Sequence, residues 1–152
     1  MKSILNPIYN NIKDKISVQD FKIVEDAFSF AEERHKGQKR KSGEDYILHP
    51  LRVAIEASKL NLDINAIAAA LLHDVLEDTK TTKKEIKDLF GEDVLFLVDG
   101  LSHLSQLKRK AAYKNKTIGR LENLRNLILS SAKDVRVILI KLVDRLDNMK
   151  SI

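Results

Sequence analysis

Apolar residues recur at three- and four-residue steps through most of this chain, and helix breakers are scarce, with five Gly and two Pro in 152 residues. Phe21, Val24, Phe28 and Ala31 place one apolar stripe on a helix from about Val18 to His35. The polar, glycine-punctuated stretch from Lys36 to Tyr46 reads as a loop. Pro50, suited to a first turn, opens a second helix that reaches about Leu60 and has His49 at its start. Asp63 is placed to cap a third helix. Thr81 or Thr82 with Glu85 makes a capping-box pattern for a short helix ending near Phe90-Gly91.

A further helix is expected from about Glu92 to Leu101. The lysine-rich segment from Lys108 to Lys116 reads as a mobile loop or helix edge, followed by a helix from about Thr117 to Ser131. The last helix starts near Lys133-Asp134 and runs to the end of the chain. Its apolar run from Val135 to Ile140 would alone suit a buried strand, but Leu139, Leu142, Val143 and Leu146 keep helical spacing. The pattern predicts an all-α helical bundle of one domain, long enough to bury a core and without repeats or linkers.

One segment breaks the apolar rule. From Ile67 to Leu76 the chain is almost wholly apolar except for His73-Asp74, and Glu77-Asp78 follow. Glu77 lies four residues after His73 and Asp78 four after Asp74, so on one continuous helix all four share a broad inward face. Burying three carboxylates and an imidazole without compensation is very costly, and a bound cation is the simplest compensation. The last helix carries a matching interruption: Asp144, Asp147, Asn148 and Ser151 fall at i, i+3, i+4 and i+7, with Leu139, Leu142, Leu146 and Met149 on the opposite side. The two helices are expected to face each other across a cavity. A lone His such as His49 is more often a packed core residue, and a lone Asp144 a surface charge. As a set, His49, His73, Asp74 and Asp144 offer two nitrogens and two oxygens to a metal with open positions for water and substrate.

The absence of Cys excludes disulfides and thiolate sites, so the ligand set favours manganese, iron or magnesium over a structural zinc. The formal charge is +5, from 27 basic and 22 acidic residues, a modest excess. Basic residues cluster at Lys36, Lys39, Arg40 and Lys41, and again at Lys108, Arg109, Lys110, Lys114 and Lys116, where either group could attract a polyanion. Five Phe, three Tyr and no Trp leave little material for stacking bases, so a small phosphorylated metabolite is expected rather than nucleic acid. No signal-peptide pattern and no run of about 20 apolar residues is present, so a soluble cytoplasmic protein is expected. A homo-oligomer is left open.

The order His49, His73-Asp74, Asp144 resembles the H…HD…D signature of the HD phosphohydrolase superfamily. The surrounding text is similar to the hydrolase domain of the RelA/SpoT family, which degrades the alarmones ppGpp and pppGpp. The matching stretches begin at His35 and end at Met149, and include Arg40-Lys41-Ser42-Gly43, Glu77-Asp78-Thr79, Val98-Asp99-Gly100 and the run from Asp134. The resemblance implies an HD-type bundle over residues 1–152 that removes the 3′-pyrophosphate of the alarmone with manganese or another divalent metal. It implies His49, His73, Asp74 and Asp144 as metal ligands and Glu77 and Asp78 as the catalytic pair, with Glu77 favoured as base and the reverse assignment open. Arg40 and Lys41 match residues that embrace the nucleotide, and Ser42, Asn148 and Ser151 match its other polar contacts.

The departures from the family are Asp147 in place of the usual His, Asp45 in place of a common Pro, and Ser102-His103 in place of Thr-Lys. Asp147 is expected to weaken phosphate binding or to recruit a further cation. No synthetase sequence is present, which fits either a small stand-alone hydrolase or a piece of a longer protein. Two other functions remain open at this stage: an HD phosphohydrolase for another nucleotide, and a non-catalytic alarmone-binding module.

Overall fold

The computed structural model describes residues 3–114 and 134–150, with side chains for residues 3–104 and 134–150. After a 3₁₀ turn at Ser3–Leu5 come α1 (Asn6–Ile12), α2 (Val18–Arg34), α3 (Leu48–Lys59), α4 (Ile64–Leu72), α5 (Val75–Asp78), α6 (Lys83–Phe90), α7 (Glu92–Lys114) and α8 (Val135–Lys150). Among the described residues there is no strand, only an isolated antiparallel bridge between Lys39 and Asp45. The all-α expectation holds.

Local chemistry sets the helix starts. The Ser17 hydroxyl accepts from Asp20 N–H at 3.1 Å to open α2, and Asp63 accepts from Ala66 N–H at 3.0 Å to open α4. Thr82 and Glu85 exchange side-chain and backbone bonds in a full capping box at the head of α6. Caps of this kind are each worth about 1 kcal/mol. Gly91, at φ +94°, ends α6 in a conformation that a side chain would strain.

Helix α4 is the centre of the molecule. Ala66 through Leu72 are all buried, and the alanines let α2 and α3 pack closely on two sides while α7 and α8 cover the rest. Truncating Leu71 to Ala there costs about 2–5 kcal/mol. Helix α8 lies mainly on α3 and also meets α7 at Gly100, where a Cβ would stand 3.3 Å from Cγ2 of Val137, a tight contact.

Several expectations are corrected. Helix α3 begins at Leu48, two residues before Pro50, so His49 lies inside its first turn. Helix α7 does not stop near Leu101 but continues to Lys114, taking Lys108 to Lys114 out of the expected loop. Good helix formers follow Gly100 with neither Gly nor Pro among them, so nothing halts the helix. Lys116 and the expected helix from Thr117 to Ser131 lie outside the described residues, as does Ser151. The third helix does not carry the His-Asp pair on a continuous path, because α4 ends at Leu72 and α5 starts at Val75.

The face of α8 that turns inward is the acidic one, as expected from the helices facing each other across a cavity. Leu142, Leu146 and Met149 are 50%, 56% and 67% exposed, whereas Val137, Ile140, Val143, Asp144 and Asp147 are buried. The two acidic residues point inward because His and Arg side chains from α3, α4 and the loop before α3 are there to meet them.

Candidate active site

The break between α4 and α5 presents the His-Asp pair. His73 Nδ1 donates to the carbonyl of Ala70 at 2.6 Å. That bond fixes the tautomer, so the lone pair of the buried Nε2 faces the cluster. It lies 3.0 Å from Asp74 Oδ2 and 3.3 Å from Asp144 Oδ1, yet has no well-directed hydrogen bond. A buried nitrogen lone pair aimed at carboxylates is what a cation requires, and the donor set fits one.

Three of the four expected ligands come together without qualification: a ligand atom from each of His49, His73 and Asp74 lies within 4.8 Å of the others. Asp144 joins them from α8, its Oδ1 lying 2.7 Å from His49 Nε2. In the bare cluster a proton would take the place of a cation. Burial by itself would lower the His73 pKa, but the charge of Asp74 and the close approach of the Asp144 carboxylate raise it well above the usual imidazole value. Burial likewise disfavours ionised Asp74 and Asp144, but their neighbours win. His73 and the Tyr46 hydroxyl hold Asp74 down to about 2, while His49, His73 and Lys141 hold Asp144 far below the usual carboxylate range.

The expected catalytic pair sits at the edge of the cluster. Glu77 is half-buried and Asp78 is exposed, so the notion of four groups buried on one face holds for His73 and only partly for the rest. Glu77 accepts from the Ser102 hydroxyl of α7 at 3.1 Å. Beyond it a polar pocket is lined by Leu76, Thr81, Lys83, Asp99, Ser102 and His103. Asp78 keeps its helical bond to the Asp74 carbonyl, and its carboxylate lies 3.0 Å from the Tyr46 hydroxyl. Tyr46 stacks on His35 and also donates to Asp74 at 2.7 Å. Burial first, then the two carboxylates, raise its pKa above the usual phenol value.

Of the expected nucleotide contacts, Arg40 and Asn148 are brought together directly: Arg40 Nη2 donates to Asn148 Oδ1 at 2.6 Å. Lys41 and Ser42 are exposed on the same loop. Asp147 does not present a bare negative charge to the cavity, because Arg40 and Arg52 both bind it. Sequence reasoning missed Tyr46, Arg52, Glu44 and Ser102 as neighbours of this site. Arg52 could have been noticed one helical turn after His49, but Ser102 gives no local signal.

The HD domain family matches residues 27–152, and the chain belongs to that family. Over 129 residues it is 51% identical to a guanosine-3′,5′-bis(diphosphate) 3′-pyrophosphohydrolase of Aquifex aeolicus (strain VF5), covering 85% of this chain and 18% of that protein. It is 41% identical over 141 residues to the bifunctional (p)ppGpp synthase/hydrolase SpoT of Escherichia coli (strain K12), covering 93% of this chain and 20% of that one. The chain therefore spans about a fifth of the length of these curated relatives. Its fold matches a solved structure described in the words "A metazoan ortholog of SpoT hydrolyzes ppGpp and plays a role in starvation responses". The TM-score is 0.61 at 31% identity, covering 84% of this chain and 68% of the other.

Proposed function

We propose that this chain is a metal-dependent hydrolase that removes the 3′-pyrophosphate of ppGpp and pppGpp, giving GDP or GTP and pyrophosphate. The observation that carries this reading is the convergence of His49, His73, Asp74 and Asp144, with Glu77 and Asp78 one helical turn beyond the His-Asp pair. The activities named for the relatives and for the solved structure support the same substrate. Residues 1–152 are read as one HD-type hydrolase unit, with manganese as the metal. Among the described residues no helix is long and apolar enough to cross a membrane, and a cytoplasmic location belongs to the same proposal.

His49, His73, Asp74 and Asp144 would hold the ion, which when bound acidifies water and offsets phosphoryl charge. The bond to be broken joins the ribose 3′-oxygen to phosphorus. A water oxygen replaces it at phosphorus, Glu77 takes up the proton released from that water, and the leaving 3′-oxygen receives that proton back from Glu77 or takes one from solvent water. Asp78, tied to Asp74 through Tyr46, orients Glu77's side of the pocket, and the pair's roles can be exchanged. Arg40 is held by Asp147 and Asn148 as a pre-set planar cation, suited to the base or a phosphate, while Lys41, Ser42 and Ser151 supply further polar contacts.

The test is turnover on a nucleotide panel with Mn²⁺ and with chelator. ppGpp and pppGpp should be cleaved, and GTP, which has no 3′-phosphates, should not. Preference for a deoxynucleoside triphosphate would reject the alarmone reading and leave the metal chemistry standing. Binding of ppGpp without turnover would favour a regulatory module.

A further inference from the structure

Asp147 sits at the centre of a charge cluster that joins α8 to α3 and to the loop before α3, and it is only 8% exposed. Its Oδ2 accepts from His49 Nδ1 at 2.7 Å, from Arg40 Nη1 at 3.2 Å and from Arg52 Nη2 at 3.1 Å. Its Oδ1 accepts from Arg52 Nε at 2.7 Å. The same Arg52 reaches both oxygens of Glu44, at 2.6 and 3.1 Å. Glu44 in turn closes the loop before α3: its carbonyl takes the Arg40 N–H at 2.9 Å, and the Arg40 carbonyl takes the Gly43 N–H at 2.8 Å.

We propose that Asp147 is a positioning residue that couples the metal cluster to the loop bearing Arg40, Lys41 and Ser42. On one side its carboxylate receives Nδ1–H of His49, which leaves Nε2 as the ligating atom and makes it more basic. On the other it anchors two guanidinium groups that brace the loop. A carboxylate has about four lone-pair sites, enough for both tasks, whereas a neutral imidazole in its place would have at most one acceptor nitrogen. This inference rests on the reading of His49 as a metal ligand, and it does not require ppGpp to be the substrate.

The experiment uses the whole chain without nucleotide and takes two measurements, Mn²⁺ affinity by calorimetry and backbone hydrogen exchange over residues 38–46. Asp147→Asn should weaken Mn²⁺ binding by about 10- to 100-fold and should speed exchange in the loop. Asp147→Glu, which restores the carboxylate, should recover part of both. Asp147→Ala, a second variant should the first not fold, removes every acceptor and should likewise weaken Mn²⁺ binding and speed loop exchange. Unchanged Mn²⁺ affinity in a folded Asp147→Asn protein would overturn the proposal, and so would weakened metal binding with an unaltered loop. Failure of the wild type to cleave ppGpp would reject the activity and leave these two measurements as decisive as before.

Discussion

The Tyr46 hydroxyl stands 3.0 Å from a carboxylate oxygen of Asp78, and its single proton has a second acceptor, Asp74, at 2.7 Å. One phenol therefore ties an expected metal ligand to an expected acid–base group. Tyr46→Phe keeps the stack on His35 but removes that tie. Loss of a hydrogen bond to a charged group is worth about 1.5–3 kcal/mol, so turnover should fall about 10-fold or more. Steady-state kinetics check this, and an unchanged kcat would show that Asp78 needs no such restraint.

Glu77→Gln separates ligation from chemistry. The amide preserves the shape and the bond from Ser102 but cannot take a proton. Hydrolysis should drop by at least about 100-fold, while Mn²⁺ binding measured by calorimetry stays as in the wild type. Turnover at the wild-type rate would move the acid–base role to Asp78.

Metal removal should cost stability as well as activity, because the ion binds a site assembled only in the folded chain. Thermal melts are expected to shift upward on addition of Mn²⁺ and downward with chelator. His73→Ala deletes the unpartnered Nε2 and should abolish the upward shift. A melt indifferent to both Mn²⁺ and chelator would count against a metal site.

Arg136 gives a pH-dependent prediction away from the site. It joins the start of α8 to Asp134, to Asp93 of α7 and to Asp63, the cap of α4. Bonds from Arg136 hold the Asp93 and Asp134 pKa values below the usual carboxylate value, against an opposing effect of burial. A carboxylate whose pKa is lower in the folded state stabilises fully above its unfolded value, near 4, and loses that contribution as pH falls through the folded value. Arg136→Met should therefore melt lower than the wild type at neutral pH, with the difference shrinking below about pH 4. Urea or thermal denaturation across that range reads it, and a constant difference would deny the carboxylates this role.

Much of the site was legible because its residues contradict their surroundings. His73-Asp74 inside an apolar run, the acidic residues of α8 at helical spacing, and His49 at a helix start all depart from what packing alone would choose. The caps Asp63 and Thr82 were legible for the opposite reason, since their signals are local. Two features could not be read this way. The end of α4 at Leu72 leaves no local signal in an alanine-rich run that favours helix throughout. The partners that meet the acidic face of α8 are distant in the chain. Arg52 and His49 of α3 receive Asp147 and Asp144, and nothing near those two residues in the sequence names them. Ser102 is likewise recognisable only once α7 lies beside Glu77.

Gly100 carries no reactive group, yet it lies where α7 and α8 cross. A methyl there would stand 3.3 Å from Val137 Cγ2, tighter than most such contacts, and the Val137 side chain would have to give by a few tenths of an ångström. Asp144 and Asp147 ride on the same rigid rod two turns or more beyond Val137. Metal–ligand distances are held to about 0.2 Å, so a displacement of that size, if the backbone of α8 took it up in place of the Val137 side chain, would span the tolerance of the proposed coordination sphere. The spacing of the proposed centre would then answer to a helix crossing that touches none of its expected ligands.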